Sequence, residues 1–264
     1  MKTTIGINGV CGRMGMRIAQ LAHEDSTLVI GAALEEPGNA HLGRDLGEVA
    51  GLGFLDLHIR AELSLETRLD VLIDFSTPAG TMAVLPVCVQ RRIPLIIATT
   101  GHGGEQRSEI EAAAHQTAIL LAPNLSLAVN LLMKLVGEAA TILQGRDFDV
   151  EILERHHRFK KDAPSGTALQ FAQIIREGMG QTQTRHGREG YVGERPCHEI
   201  GIHAIRAGDN VGEHSIVFST LGETIELNHR AHSRDCYARG ALQAAKYLAD
   251  RPPGRYTMND VLDL

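Results

Sequence analysis

Short runs of aliphatic and β-branched residues alternate with longer segments whose apolar side chains recur every three or four positions, from the start of the chain to about position 122. Thr3–Asn8, Leu28–Leu34, Leu69–Phe75, Pro94–Thr99 and Ala118–Ala122 read as strands, with Arg13–His23, Pro78–Arg91 and Glu105–Gln116 as helices between them. Strands this short with no polar face belong to a parallel sheet covered on both sides. The pattern predicts an α/β fold with a Rossmann-like, doubly wound parallel sheet. Only the long Gly-rich connection between Leu34 and Leu69 lacks a periodic signal.

Beyond Ala122 the order changes. Leu125–Leu143 is apolar at helical spacing and leads into a strand-like Phe148–Arg155. A helix is predicted from Ser165 to about Gly178, then a polar stretch, Gln181–Arg195, then strands near His198–Arg206, Ser215–Thr220 and Thr224–His229. Leu221, Gly222 and Glu223 form a connection short enough for a hairpin. Ser233–Asp250 is again helical, and Arg251-Pro252-Pro253-Gly254 stops it before a short tail. The expectation is a second, α+β domain carrying an open mixed sheet.

Composition narrows the classes. At 264 residues and 43% hydrophobic content the chain fits one large domain or two modest ones, at about 150 residues per domain. A net charge of −6 and a pI near 6.1 argue against a nucleic-acid or anionic-membrane partner, both of which need a broad basic face. Cys11, Cys88, Cys197 and Cys236 show no CxxC spacing, which suits free thiols in a reducing compartment. The first ten residues lack the apolar core of a signal peptide. The most hydrophobic region, Ala118–Val136, is interrupted by Pro123, Asn124, Ser126, Asn130 and Lys134, against a membrane span. A soluble, cytoplasmic protein is expected.

Gly9, Val10, Cys11, Gly12, Arg13, Met14 and Gly15 follow the first strand and open the first helix, where a glycine-rich turn presents a pyrophosphate to a helix N-terminus. The spacing is GxxGxxG, with Cys11 where GxGxxG has its middle glycine. Glu35, twenty residues past Gly15 at the end of the second strand, stands where an acid accepts hydrogen bonds from the adenosine ribose. Together they read as a dinucleotide site, and a tight strand-to-helix turn with a solvated acid is the alternative. Glu36 places a second negative charge where a 2′-phosphate would sit, which favours NADH over NADPH, although Arg13 and Arg17 offset part of the repulsion. Two later strand ends, Ala98-Thr99-Thr100-Gly101 and Ala122-Pro123-Asn124-Leu125, fall where the crevice rule puts ligands, or are ordinary turns.

The richest segment is His156 to Thr167, which joins a cluster of proton donors to a helix start. Pro164 disfavours helix before it, Ser165 is a good cap, and Leu169, Phe171, Ala172 and Ile175 continue at helical spacing. The backbone amides of Gly166, Thr167 and Ala168 are expected to be unpaired and to point toward the basic residues, ready to hold a carboxylate or phosphate. The missing Cβ of Gly166 allows close approach. His156 and Lys160 supply donors near or above neutral pH. A solvated basic loop is the plain alternative. No cysteine or carboxylate cluster completes a coordination shell around the adjacent histidines, so no metal is predicted.

GVCGRMG at Gly9–Gly15, IDFSTP at Ile73–Pro78, ATTG at Ala98–Gly101, ERHHRFKKDAPSGTA from Glu154, RAGDNVGEH at Arg206–His214 and the closing DVLDL are similar to the signature blocks of the 4-hydroxy-tetrahydrodipicolinate reductase (dihydrodipicolinate reductase) family, from the diaminopimelate route of lysine biosynthesis. The chain resembles that family over essentially its whole length. The resemblance implies an NAD(P)H-dependent oxidoreductase acting on a small cyclic dicarboxylate, with His156 and Lys160 as the proton-handling pair and His157, Gly166 and Thr167 as substrate contacts. It implies cofactor contacts at Gly9, Val10, Cys11, Gly12, Arg13, Met14, Glu35, Ala98, Thr99, Thr100, Ala122, Pro123, Asn124 and Leu125. It further implies a dinucleotide-binding domain of residues 1–126 completed by 237–264, a substrate-binding and oligomerisation domain of residues 127–236, domain closure over both ligands, and a homotetramer.

The chain departs from some members at Glu36, where a basic residue can read the 2′-phosphate, and at Cys11. Pro123 removes one backbone donor near the expected nicotinamide. Two other readings share parts of this pattern. A dehydrogenase of another small acid, such as aspartate or homoserine, has no reason to carry the His156–Thr167 block. A nucleotide-sensing protein without catalysis does not require Lys160 beside two histidines.

Overall fold

The computed structural model describes residues 2–264. Strands and helices alternate through β1 (Thr3–Asn8), α1 (Arg13–Glu24), β2 (Leu28–Leu34), α2 (Leu46–Ala50), β3 (Ile59–Arg60), β4 (Val71–Asp74), α3 (Pro78–Arg91), β5 (Leu95–Ile97), α4 (Gly104–Ala113) and β6 (Ala118–Leu121). There follow α5 (Leu127–Leu143), β7 (Asp149–His156), α6 (Gly166–Met179), β8 (Gln183–Arg185), β9 (Glu199–Arg206), β10 (Glu213–Thr220) and β11 (Glu223–Arg230). The chain closes with α7 (Asp235–Leu248), β12 (Gly254–Tyr256) and α8 (Met258–Leu262). It divides into two units, one running to Leu127 and resuming at Asp235–Leu264, the other spanning Ala128–Arg234.

The first unit is a seven-stranded sheet in the order β12-β6-β5-β4-β1-β2-β3, parallel throughout. Successive strand residues point to opposite faces, and here both faces are apolar. Ile5, Ile7, Val71 and Ile73 pack with Ile18 and Ala22 of α1 and Ala241, Ala245 and Leu248 of α7. Leu72, Leu95, Ile97 and Ile119 pack on the other side with Leu85 and Cys88 of α3 and Ile110 of α4. The order of winding reverses between β1 and β4, so the carboxyl ends of these two strands flank the crevice where a ligand fits an open α/β sheet.

The second unit is a five-stranded mixed sheet ordered β11-β10-β7-β9-β8. β10 is antiparallel to β7 and β11, whereas β7, β9 and β8 are parallel. One face, through Val150, Ile152, Ile200, Ile202, Ile216 and Phe218, packs on α5 and α6. The other face carries Glu151, which accepts from Arg188, Arg195 and His203. β10 and β11 form the expected hairpin, with Gly222 at φ +96 in a two-residue turn.

Several short elements were not expected. The Gly-rich connection contains α2 and β3, the polar stretch contains β8, and the tail contains β12 and α8. These strands are two or three residues long, below the length at which alternation shows. β12 forms by pairing with β6 at the sheet edge, a tertiary contact with no local signature.

Candidate active site

At the end of β1 the chain turns through Gly9, at φ +77, into α1. Gly12 caps that helix without a side-chain hydrogen bond, and no acid occupies the first turn. The helix start, with the amides of Arg13 and Met14, therefore keeps the positive end of its dipole uncompensated. The turn amides before it are committed: Gly9 and Val10 both donate to the Leu34 carbonyl at 2.9 and 3.0 Å, and Gly12 donates to the Gly9 carbonyl at 3.1 Å. The Cys11 amide donates to Glu35 Oε2 at 2.8 Å, which orients that carboxylate at the end of β2. Burial first, and Glu35 second, push the Cys11 thiol up to about 11, so it stays protonated at neutral pH.

The neighbouring strand ends meet on a residue not singled out in the sequence. Asp74, fully buried at the end of β4, accepts from Asn8 Nδ2 at 2.8 Å, Ser76 Oγ at 2.5 Å, Thr81 Oγ1 at 2.5 Å and Thr99 Oγ1 at 2.8 Å. Every donor is neutral, and each lies at a strand end or helix start, so one carboxylate ties β1, β4, β5 and α3 together at the crevice. Ala98 and Thr99 follow β5 and Thr100 is exposed, while Ala122 donates to the Ile97 carbonyl at 3.0 Å, Leu125 is buried, and Asn124 Oδ1 accepts from Ser126 at 2.9 Å. Pro123 donates nothing. All these residues lie at the carboxyl edge of one parallel sheet.

The second unit holds the basic segment. His156 ends β7 on its buried face, two residues after Glu154, itself fully buried. Glu154 accepts from His156 Nδ1 at 2.6 Å, from both terminal nitrogens of Arg206 at 2.7 Å, and from the Ser165 amide at 2.9 Å. Burial pushes this carboxyl up, but the bonds from His156, Arg206 and Ser165 outweigh it and hold it at about 2. Arg206 also donates to the Asp162 carbonyl at 2.7 Å, and Arg158 donates to the Gly208 carbonyl at 3.1 Å, so the loop after β7 is fastened to the end of β9.

Ser165 caps α6 in extended geometry, with φ −66 and ψ 152. Its hydroxyl accepts from the Ala168 amide at 3.2 Å and contacts His214 Nε2 at 3.3 Å. The Ala168 amide is thus spent on the cap, a correction to the expectation that it stays unpaired. A Cβ on Gly166 would meet nothing within 4 Å, so the helix start opens onto free space there. Lys160 Nζ, half-buried, sits 2.9 Å from Oδ1 of the exposed Asp162. His157 is half-buried, its ring 6.1 Å from that of Phe159, and Thr167 lies in the first turn of α6. His156, Lys160, His157, Gly166 and Thr167 therefore belong to one unit.

Glu154, Arg206 and Asp74 were missed. A glutamate on the apolar register Val150, Ile152, Glu154, His156 was the available signal, because a charge there must be paired.

A glycine turn feeding an uncapped helix, an acid at the end of the next strand, and a second unit built around histidine and lysine define a two-unit, nicotinamide-dependent oxidoreductase. Residues 3–125 match the family model for the dihydrodipicolinate reductase N-terminus, and residues 128–262 that for its C-terminus. The chain belongs to the dihydrodipicolinate reductase family. It is 42% identical, over 99% of both chains, to the 4-hydroxy-tetrahydrodipicolinate reductase of Magnetococcus marinus. The dipicolinate-bound dihydrodipicolinate reductase of Paenisporosarcina sp. TG-14 superimposes with a TM-score of 0.76 at 25% identity, covering 98% of this chain and 99% of that one. GenD2 of gentamicin A biosynthesis, solved with NAD, shares the fold at a TM-score of 0.61 and 13% identity, over 99% of this chain and 90% of that one. Among the described residues no helix is long and apolar enough to cross a membrane.

Proposed function

We propose that this chain reduces 4-hydroxy-tetrahydrodipicolinate to tetrahydrodipicolinate with NADH or NADPH, in the diaminopimelate route to lysine. The observation that carries the reading is the gathering of His156, Lys160 and the open helix start at Gly166 within a chain 42% identical to a named reductase of that compound. Residues 1–126, completed by 237–264, form the dinucleotide-binding domain, and residues 127–236 the substrate-binding and oligomerisation domain.

The residues of the first unit fit a dinucleotide. Gly15 has no Cβ to block the seat of α1, the helix start is uncapped, and the Glu35 carboxylate faces the turn. Gly9, Val10, Cys11, Gly12, Arg13 and Met14 would line the pyrophosphate, Glu35 would accept from the ribose, and Ala98, Thr99, Thr100, Ala122, Pro123, Asn124 and Leu125 would border the nicotinamide. Adjacent Glu35 and Glu36 favour NADH. When bound, the reduced nicotinamide supplies the hydride.

The chain's own residues do the rest. The start of α6, at Gly166 and Thr167, grips one carboxylate and sets the ring's angle, an orientation effect. His157 and Lys160 add contacts and attraction for the dicarboxylate. Net reduction, with loss of the 4-hydroxyl as water, leaves one proton to be delivered, and His156 or Lys160 delivers it. We further infer a cytoplasmic homotetramer built through the second unit.

The test is the loss of reduced-nicotinamide absorbance with substrate freshly generated by a coupled synthase, each cofactor in turn. Lys160→Ala should depress turnover far more than cofactor binding. Oxidation with aspartate or homoserine-derived substrates, and none with the cyclic imino dicarboxylate, would overturn the reading.

A further inference from the structure

The pairing inside β7 goes beyond the assignment of His156 as a proton-handling group. Glu154 is fully buried, and its two oxygens take four bonds: Oε2 from His156 Nδ1 and one Arg206 nitrogen, Oε1 from the other Arg206 nitrogen and the Ser165 amide. A carboxylate so placed has no proton to give, so His156 Nδ1 must be the donor. The imidazole is thereby held as the tautomer whose Nε2 is left for other partners. The same carboxylate fixes the amide of Ser165, the cap of the helix start proposed above to hold the substrate.

We propose that Glu154 is the positioning residue of the site: it selects the ring orientation and the tautomer that present His156 Nε2 to the substrate, and it locks the start of α6 to that ring. Arg206 is the counter-charge that makes a buried carboxylate tolerable there, since an unpaired one is costly. Its planar fork meets both oxygens at once, which a lysine does not reproduce. The inference rests on the reading of His156 as the proton-handling group, yet its geometric content is separable from it.

The experiment uses the full-length enzyme and the variants Glu154→Gln and Glu154→Asp. In Glu154→Gln the amide nitrogen can donate to Nδ1, which moves the imidazole proton to Nε2. Turnover should then fall by about 10²- to 10⁴-fold, as for loss of the orienting carboxylate elsewhere, while the KM for NADH stays within about twofold of the parent. Glu154→Asp should recover part of the loss. Long-range ¹H–¹⁵N spectra should show His156 protonated at Nδ1 in the parent and shifted toward Nε2–H in Glu154→Gln, a change that a purely structural role would not produce. A solvent deuterium effect on kcat should emerge in that variant as proton delivery becomes limiting.

Parent-like turnover in Glu154→Gln, or a parent imidazole protonated at Nε2 alone, overturns the proposal. If Glu154→Gln does not fold, Glu154→Asp and the parent spectrum still decide it. If instead His156→Gln keeps full turnover while the parent spectrum shows Nδ1–H, the proton role of His156 fails and the positioning geometry stands.

Discussion

The bare Cα of Gly15 stands against the carbonyl oxygen of Gly9: a Cβ at position 15 would lie 2.2 Å from that oxygen and 2.6 Å from the Cα of Val10. Both obstacles are backbone, so neither can swing aside. α1 reaches the turn only because position 15 lacks a side chain. Gly15→Ala must lift the helix start from the turn, at about 1–3 kcal/mol by analogy with overpacked cores. The NADH dissociation constant should rise by about tenfold or more, 1.4 kcal/mol for each factor of ten. Calorimetric titration and a thermal melt check this, and an unchanged constant would remove the helix start as the cofactor's seat.

How much of this was legible follows from where each signal lives. β1, β2 and α3 have the expected bounds, because each carries its own pattern: a strand of six or seven residues built on aliphatic and β-branched side chains, or a Thr77 cap followed by Pro78. The Ser165 cap was legible for the same reason. Asp74 was not, because its partners Asn8, Thr81 and Thr99 come from three other segments. Arg206 stands in the RAGDNVGEH block, but nothing local says that its guanidinium crosses to a strand 52 positions earlier. The Ala168 amide at the start of α6 is not spare, because a capping serine consumes the donor three residues on.

Gly166 separates folding from binding. Its φ is not in the left-handed region and a Cβ there meets nothing, so Gly166→Ala should leave the fold intact or add about 0.4–1 kcal/mol by restricting the unfolded chain. On the proposed reading, the new methyl would occupy the space that the substrate carboxylate takes. We expect an unchanged or higher Tm together with a KM for substrate raised by about tenfold, a loss of roughly 1.4 kcal/mol. A variant with raised Tm and parent-like KM would place the ligand elsewhere.

The proposed preference for NADH rests on two adjacent acids. Glu35 is already oriented, with Oε2 held by the Cys11 amide and Oε1 by the Glu36 amide at 3.0 Å, whereas the exposed Glu36 side chain contributes only its charge. Glu36→Arg replaces repulsion of a 2′-phosphate by attraction, and like-charge contact costs several kcal/mol. The ratio of kcat/KM for NADPH over NADH should rise by about tenfold or more, at about 1.4 kcal/mol per decade. Steady-state kinetics with both cofactors measures it. A ratio that does not move would mean that the 2′ position lies away from Glu36.

Acid should weaken the second unit in two stages. His214 is buried between Ser165, His156 and Phe171, and burial, then the charges of His156 and His229, lower it from 6.5 to about 3. The folded state therefore keeps His214 neutral while the unfolded chain takes up a proton below pH 6.5, so stability is lost as pH falls from 6.5 toward 3. At 1.36 kcal/mol per unit the full loss is on the order of 3–5 kcal/mol. His229, lowered mainly by burial, adds to the same window. Glu154 acts later, because its depressed carboxyl contributes stability that is complete above about pH 4.5 and disappears as pH falls through about 2. Urea unfolding at pH 7, 6, 5 and 4 should give a falling free energy in the parent. His214→Asn removes the buried imidazole, so it should be less stable at pH 7 yet show a shallower slope from pH 6.5 down toward 3, while the loss that Glu154 brings as pH falls through about 2 remains. Parallel curves for parent and variant across that upper window would mean that His214 already takes up its proton in the folded protein.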